Sequence, residues 1–240
     1  MTLLWNELRT AVSLIAHGDP YLTQVIGFTL QVAAISTAVA SAIGVPLGLV
    51  IGLGRFRGRE ALRILANASM GLPPVVVGLV LFLVFVPAGP LGSLHLNATR
   101  TGVFVVQSVL ALPYTVALTI AAVRALPGGL SEQARMLGAG RAQLATLALR
   151  EARVGVMAGV IAALATALSE VAAIVIVGGN VYGYDQTLAS ASLFATNAAM
   201  YAEALAIGIV LLALILLLIG GLSLLGQFGG GIRLRLGPSS

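Results

Sequence analysis

The sequence predicts an all-α, polytopic transmembrane bundle of five spans, with its N-terminus outside and its C-terminus in the cytoplasm, and three observations predict it. Hydrophobic residues make up 59% of the 240 positions and charged residues 9%, at a mean hydropathy of +1.05. Soluble domains carry roughly 25% charged residues, so this chain cannot cover a water-facing surface. Five stretches, about 25–53, 61–86, 101–125, 154–177 and 204–225, reach the ~20 mainly apolar residues that a helix needs to cross the hydrocarbon core. All 13 basic residues are arginines, and they gather in alternate gaps between the stretches.

Helices follow because lipid leaves no backbone group free to go unpaired, and because the alternation of barrel strands is absent. The arginines then set the direction. Arg55, Arg57, Arg59 and Arg63 separate the first two spans; Arg124, Arg135, Arg141, Arg150 and Arg153 lie between or flank the third and fourth; Arg233 and Arg235 follow the fifth. Only Arg9 and Arg100 fall on the other side, which the positive-inside rule reads as external. The whole chain, 1–240, is expected to be one multi-pass transmembrane domain.

In chain order, residues 2–16 place Leu4, Leu8, Val12 and Ile15 near one helical face, with Trp5 at headgroup level; a short interfacial helix ended by Gly18 and Pro20 is predicted. "AVA" before Ser41 resembles a signal-peptide cleavage site, but the apolar run continues past it, so an uncleaved span is predicted. The first span carries Gly44, Gly48 and Gly52 and the fourth Gly155 and Gly159, a small-xxx-small spacing that lets helix backbones approach within or between subunits. Pro46, the Pro73–Pro74 pair of "GLPPVVVG" and Pro113 of "ALPYTVALT" each remove an amide donor and should kink their helices. Two readings stay open there: bent helices satisfied by neighbours, or freed carbonyls that join Ser69, Thr115 and Thr119 to line a polar pathway.

Glu170, in "TALSEVAAIVIVGGN", is the carboxylate placed deep in a span, where an ionisable group costs at least ~3 kcal/mol and reads as functional by default. Thr166 and Ser169 are candidates for the same polar patch. If the cargo is an anion, an ionised glutamate would repel it, so gating or helix pairing is the reading taken, with a packing role as the alternative. The segment after it, "VGGNVYGYDQTLASASLFATNAAMYAE", has no arginine and suits an external turn followed by a short surface or re-entrant helix, either a docking surface or a connector.

Several chemistries are excluded. The chain has no cysteine, so disulfides and thiolate metal sites are ruled out. His17 and His95 lie in separate loops without metal-ligand spacing, no phosphate-binding G-x-x-x-x-G-K-[ST] run occurs, and the arginines flank apolar segments rather than form a nucleic-acid stripe. No catalytic residue, cofactor or metal is expected.

The segment of about 128–152 differs from everything around it. Pro127, Gly128 and Gly129 break the third span. Ser131 is read as the N-cap of a stub helix whose first turn carries Glu132, Gly138 is the left-handed stop, and a second helix starts near Arg141. Leu130, Ala134 and Leu137 make the stub moderately apolar, a rigid knob shaped to press into another protein.

Here Glu132, Ala134 and Gly138 fit the E-A-A-x-x-x-G loop of the permeases of binding-protein-dependent ABC importers, with Gln133 in place of the middle alanine and no closing leucine–proline pair in "LALREAR". "LPPVVVG", "ALPYTVALT", "REARVGVMAGV" and "ALSEVAAIVIVGGN" resemble the molybdate, sulfate and tungstate group, most closely its tungstate branch. The resemblance implies a type I permease fold, with Ser131, Glu132, Ala134, Leu137 and Gly138 in a coupling helix seated on a separate ABC ATPase. It further implies an extracytoplasmic tungstate-binding protein and a second permease copy, in a homodimer surrounded by lipid. Ser69, Pro73, Pro74, Thr115, Thr119, Thr166, Ser169 and Glu170 are the pathway or gate candidates. The alternatives are the same importer for molybdate or sulfate, or an ATPase-independent secondary transporter or channel. The latter leaves the capped knob unexplained, and five spans divide poorly into paired repeats.

Overall fold

The structure, a computed structural model, describes residues 2–127 and 129–228, so Gly128, Arg233 and Arg235 lie outside the described residues. Among the described residues the chain forms eleven α-helices, one short 3₁₀ turn and no strand. Helix α1 (Thr2–Ala16) precedes α2 (Pro20–Leu53), whose start is fixed by Asp19: its Oδ1 accepts from the Leu22 N–H (2.9 Å), and Pro20 takes a first-turn position that needs no donor. Then come α3 (Arg59–Ser69) and α4 (Pro74–Phe85), followed by α5 (Arg100–Arg124), capped by Thr99 through the Gly102 N–H (3.1 Å). The remaining helices are α6 (Leu130–Met136), α7 (Arg141–Glu151), α8 (Arg153–Ser169), α9 (Ala172–Gly178), α10 (Leu188–Asn197) and α11 (Tyr201–Phe228).

Three helices, α2, α5 and α11, are long and apolar enough to cross a membrane unbroken, and counting each of the bent pairs α3–α4 and α7–α8 as one crossing brings the number to five. The expected second span is therefore not one gently kinked helix: α3 and α4 meet at 103°. Pro73 and Pro74 cannot donate to the preceding turn and disfavour helical backbone before them, so the chain leaves the helix at Met70 and restarts at Pro74. The expected fourth span is also divided. The division falls where α8 stops at Ser169 and α9 starts at Ala172, while the 74° turn between α7 and α8 at Ala152 lies just ahead of the predicted span. Pro46 and Pro113, by contrast, lie inside helices that continue through them.

Helix α5 is the centre of the bundle. It packs along α2 on one side and α8 on another, with α3, α4 and α9 also against it. Glycine makes both long seams close. A Cβ on Gly44 would lie 1.9 Å from Thr115 Oγ1, one on Gly48 2.6 Å from Thr119 Cβ, and one on Gly155 2.4 Å from Ala122 Cβ. The glycine ladders of the first and fourth spans thus sit against the same helix within this chain. Lipid supplies no hydrophobic drive between helices, so this approach is what holds them.

Helix α1 docks on α11, but its faces divide differently from the sequence reading. Ala11 is buried and Ile15 packs on the core formed by Leu22, Val25, Leu188, Ala191 and Ile207, whereas Trp5, Leu8 and Val12 point outward; the Leu4 side chain is not described. Helix α10 is no surface helix. Leu188, Ala189, Ser190 and Ala191 are buried, and α10 packs on α11 and also touches α2, α8 and α9.

The loop before α10 is tied down as firmly. Tyr21 Oη donates to Gln186 Oε1 (2.6 Å), the Leu188 N–H to Thr29 Oγ1 (2.8 Å), and Arg100 Nε to the Tyr184 carbonyl (2.7 Å). Asp185 in this loop is fully buried and its Oδ1 accepts from the Val181 N–H. Burial pushes its carboxyl above the usual aspartate range, against the lowering pull of backbone N–H groups and of Arg100. The folded state therefore holds this proton more tightly than the unfolded chain. Stability should fall as pH rises from the ordinary value of about 3.9 through the raised folded value, with the full penalty above it. Asp185→Asn keeps an acceptor for Val181 and removes the charge. It should flatten that slope and raise the melting temperature at neutral pH, measured by thermal unfolding in detergent across the acid-to-neutral range. A variant that melts lower at neutral pH would show that Arg100 already compensates the charge.

Candidate functional site

The arginine-rich end of the bundle carries the most distinctive geometry. The chain leaves α5 through Pro127, and Gly129, at φ +98°, starts α6. The N-cap is Gly129 and not Ser131, which lies in the first turn beside Glu132: the Gln133 N–H bonds to the Gly129 carbonyl (2.7 Å), two residues earlier than a cap at Ser131 would allow. A left-handed residue here re-aims the chain sharply, which glycine does without a Cβ penalty.

The other end closes as read from the sequence. Gly138 has φ +84°. Its N–H bonds to the Arg135 carbonyl (2.9 Å) while the Ala139 N–H bonds to the Ala134 carbonyl (2.9 Å). That pair of bonds is a Schellman stop, which satisfies carbonyls that the helix end would otherwise leave open. One residue later Gln143 Oε1 accepts from the Gly140 N–H (2.8 Å) and so caps the start of α7.

The stub therefore has defined ends, and it holds its tip away from the protein. Met136 is 80% exposed and Leu137 88%, while Leu130 and Ala134 are half-buried. Met136 is a residue that sequence reasoning missed; only its adjacency to Leu137 could have signalled it. Glu132 is held across the chain by Arg55, whose Nη2 donates to Oε1 at 2.7 Å. With both side chains about two-thirds exposed (65% and 63%), this pair contributes no more than ~1 kcal/mol and serves to position rather than to stabilise.

The residues expected to line a pathway divide into two groups. Thr115 and Thr119 are fully buried in the α2–α5 seam, opposite Gly44 and Gly48. Thr115 Oγ1 donates to the Ala40 carbonyl (2.8 Å), so a bond across the seam accompanies the close approach. Neither faces an open channel within this chain. Thr166 and Ser169 return their hydroxyls to their own helix, at the Ala162 (3.0 Å) and Ala165 (2.7 Å) carbonyls, and Ser69 does the same to Ala66 (2.9 Å). Neither α8 hydroxyl is bonded to Glu170.

Glu170 is not inside a helix. It sits at the break after α8 with extended backbone, partly exposed, and its Oε1 accepts from the Ala173 N–H (3.0 Å) at the start of α9. The carboxylate thus stands where a helix N-terminus leaves donors unpaired. The neighbouring break is that of Pro73 and Pro74, because α4 and α9 run side by side: a Cβ on Gly78 would lie 2.8 Å from the Ala173 Cα. Both short helices run away from the arginine-rich end, and Pro74 and Ser169 each lie about one turn before that contact. The two breaks stand at a similar depth. Gln107, fully buried on α5 with Nε2 toward the Ala167 carbonyl (3.4 Å) and Oε1 without a partner, is the polar residue of this region that a search for carboxylates and prolines overlooked.

The capping role gives a direct prediction. Glu170→Gln keeps an oxygen for the Ala173 N–H and should leave the melting temperature near wild type. Glu170→Ala should destabilise by about 1 kcal/mol, the usual worth of a lost cap, as read by thermal unfolding in detergent. Equal melting of all three would show that the cap carries no stability.

Three unbroken apolar helices of membrane-crossing length and two bent pairs, with arginines concentrated at one end, define a polytopic integral membrane protein of the all-α class. The chain belongs to the family of binding-protein-dependent transport system inner membrane components, whose pattern it matches over residues 44–227. It is similar to a probable anion ABC transporter permease protein of Haloferax volcanii, 35% identical over 209 residues that cover 84% of this chain and 90% of the relative. It is also similar to the tungstate uptake system permease protein TupB of Peptoclostridium acidaminophilum, at 31% over 212 residues (88% and 93%). A more distant relative is the sulfate transport system permease protein CysW of Escherichia coli, at 27% over 172 residues (69% and 59%).

Proposed function

We propose that this chain is the permease subunit of an ATP-driven importer for a tetrahedral oxyanion, tungstate before molybdate or sulfate, and that α6 is its coupling helix. The observation that carries the reading is the stub itself: seven residues between a left-handed start and a Schellman stop, with Met136 and Leu137 held almost fully in solvent. Such a tip is costly to leave bare and is suited to a cleft in a separate ATPase. In this reading Glu132, Ala134, Leu137 and Gly138 belong to the coupling helix, and Ser131 lines the root of the stub rather than capping it.

The family requires a binding protein on the external side, and the chain itself has no nucleotide-binding run, so hydrolysis falls to another subunit. Tungstate is favoured because a tungstate permease and an anion permease are each similar over more than four-fifths of this chain. A second copy of this chain would complete the pathway, since the glycine seams that bind α2 and α8 to α5 leave no channel between them. The residues left for that pathway are those at the two breaks, Pro73 and Pro74 on one side and Ser169 and Glu170 on the other. Glu170→Gln should lower transport far more than it lowers expression.

The test is uptake in a cell lacking its own carriers, with labelled tungstate and unlabelled tungstate, molybdate or sulfate as competitor. Tungstate should compete at least tenfold better than sulfate. Uptake that persists without any ATPase partner would favour the secondary-transporter reading instead.

A further inference from the structure

A cavity of about 300 Å³ opens at the root of the stub, between the ends of α2 and α5 and the start of α6 and α7. Its wall includes Arg55, Arg59 and Arg124, with Ser131 and Leu130 from α6, and no carboxylate is among its lining residues. The positive-inside rule accounts for arginines at this end of the molecule. It does not account for three of them, one from the turn after α2, one from the start of α3 and one from the end of α5, lining one partly open cavity.

The charges there do not balance. Arg55 is paired with Glu132, and Glu60 is shared between Arg63 and Arg124. Arg59 has no carboxylate partner among the described residues: its Nη1 donates to the Gly54 carbonyl (2.6 Å), which holds the half-buried guanidinium over the end of α2. Four arginines against two glutamates leave a surplus of two positive charges around the cavity. Each guanidinium carries five donors in a planar fork, of which these contacts use few. Ser131 adds a hydroxyl with no hydrogen-bond partner among the described residues.

We propose that this cavity binds a tetrahedral, phosphate-class oxyanion between Arg55, Arg59 and Arg124, and that its occupant fastens the root of the stub to the ends of α2 and α5. Forked donors converging from several directions are the arrangement that recognises such an anion, whereas a monovalent spherical anion gains little from them. The occupant is either a free oxyanion or the phosphate of an anionic lipid headgroup, which reaches the same depth at the membrane surface. The site is separate from the transport pathway proposed above and does not depend on it.

The experiment uses the full chain purified in detergent and delipidated. Inorganic phosphate, sulfate and tungstate are titrated at constant ionic strength, with chloride as the reference, and binding is followed by calorimetry and by the rise in melting temperature. In a second arm the chain is placed in nanodiscs of phosphatidylcholine with or without phosphatidylglycerol. Saturable binding of a tetrahedral anion, weakened at least tenfold by Arg59→Gln and by Arg124→Gln but not by Arg57→Gln, is the expected result for a free ligand. Stabilisation by phosphatidylglycerol alone, lost in the same two variants, identifies the headgroup. If neither arm shows a saturable effect, or if Arg57→Gln weakens it as much as Arg59→Gln, the cavity is not a site. Uptake does not enter the readout, so failure here leaves the importer reading standing, and failure of uptake leaves this measurement intact.

Discussion

Replacing Gly138 by valine is expected to abolish uptake while the protein still inserts, accumulates and melts close to wild type. The position separates backbone from packing cleanly. A Cβ placed there would meet nothing within 4 Å, so the cost of adding one comes from the backbone, whose φ is +84°. An L-residue in that conformation costs roughly 1–2 kcal/mol, and a β-branched side chain more, because it is a true outlier there. The α6 stub has seven residues and no helix of that length is stable alone; the strain is relieved by unwinding its last turn rather than by moving the bundle. Met136 and Leu137 then lose their fixed direction. A graded series sharpens the test: asparagine, which tolerates the left-handed region, should retain most uptake, alanine should lose up to tenfold, and valine should lose all of it. The checks are uptake, membrane abundance and thermal unfolding on the same preparations. Full uptake by the valine variant would show that α6 does not transmit motion.

Much of this architecture could be read from residue order alone, and the features that could not share a cause. Span positions follow from local hydropathy, so the three unbroken ones were legible. So was the stop at Gly138, because a glycine after a short capped run has few other uses. The break at Glu170 was not. "ALSEVAAIVIV" contains neither proline nor glycine, and it is the carboxylate bonding to the Ala173 N–H that lets the backbone extend there. The N-cap of α6 was misassigned for a related reason: serine is the better cap by propensity, but a left-handed Gly129 fixes where the helix starts. Thr115 and Thr119 read as polar residues near a proline, and only the position of α2 reveals that they face glycines. The pair between Arg55 and Glu132 spans 77 positions and depends wholly on how the helix ends meet.

The α2–α5 seam makes the last prediction, and it concerns stability rather than transport. Gly44→Ala adds one methyl group, yet that carbon would lie 1.9 Å from Thr115 Oγ1, 2.9 Å from Thr115 Cβ and 3.3 Å from Leu112 Cδ1. The first two contacts are closer than real atoms come, and Thr115 cannot rotate freely because its hydroxyl is held by the Ala40 and Leu112 carbonyls (2.8 and 2.9 Å). The helices must separate or the bond must break, at about 1–3 kcal/mol for overpacking. Leucine at the same position should exceed that range and lower the amount of folded protein recovered in detergent. Thr115→Ala removes the closest atom but leaves its Cβ, so in the double variant part of the loss should return. Non-additivity of this size is the mark of two side chains in direct contact. Thermal unfolding of the two single variants and the double one measures the coupling. If the losses simply add, Gly44 and Thr115 do not meet, and the assignment of this seam as the spine of the bundle fails with them.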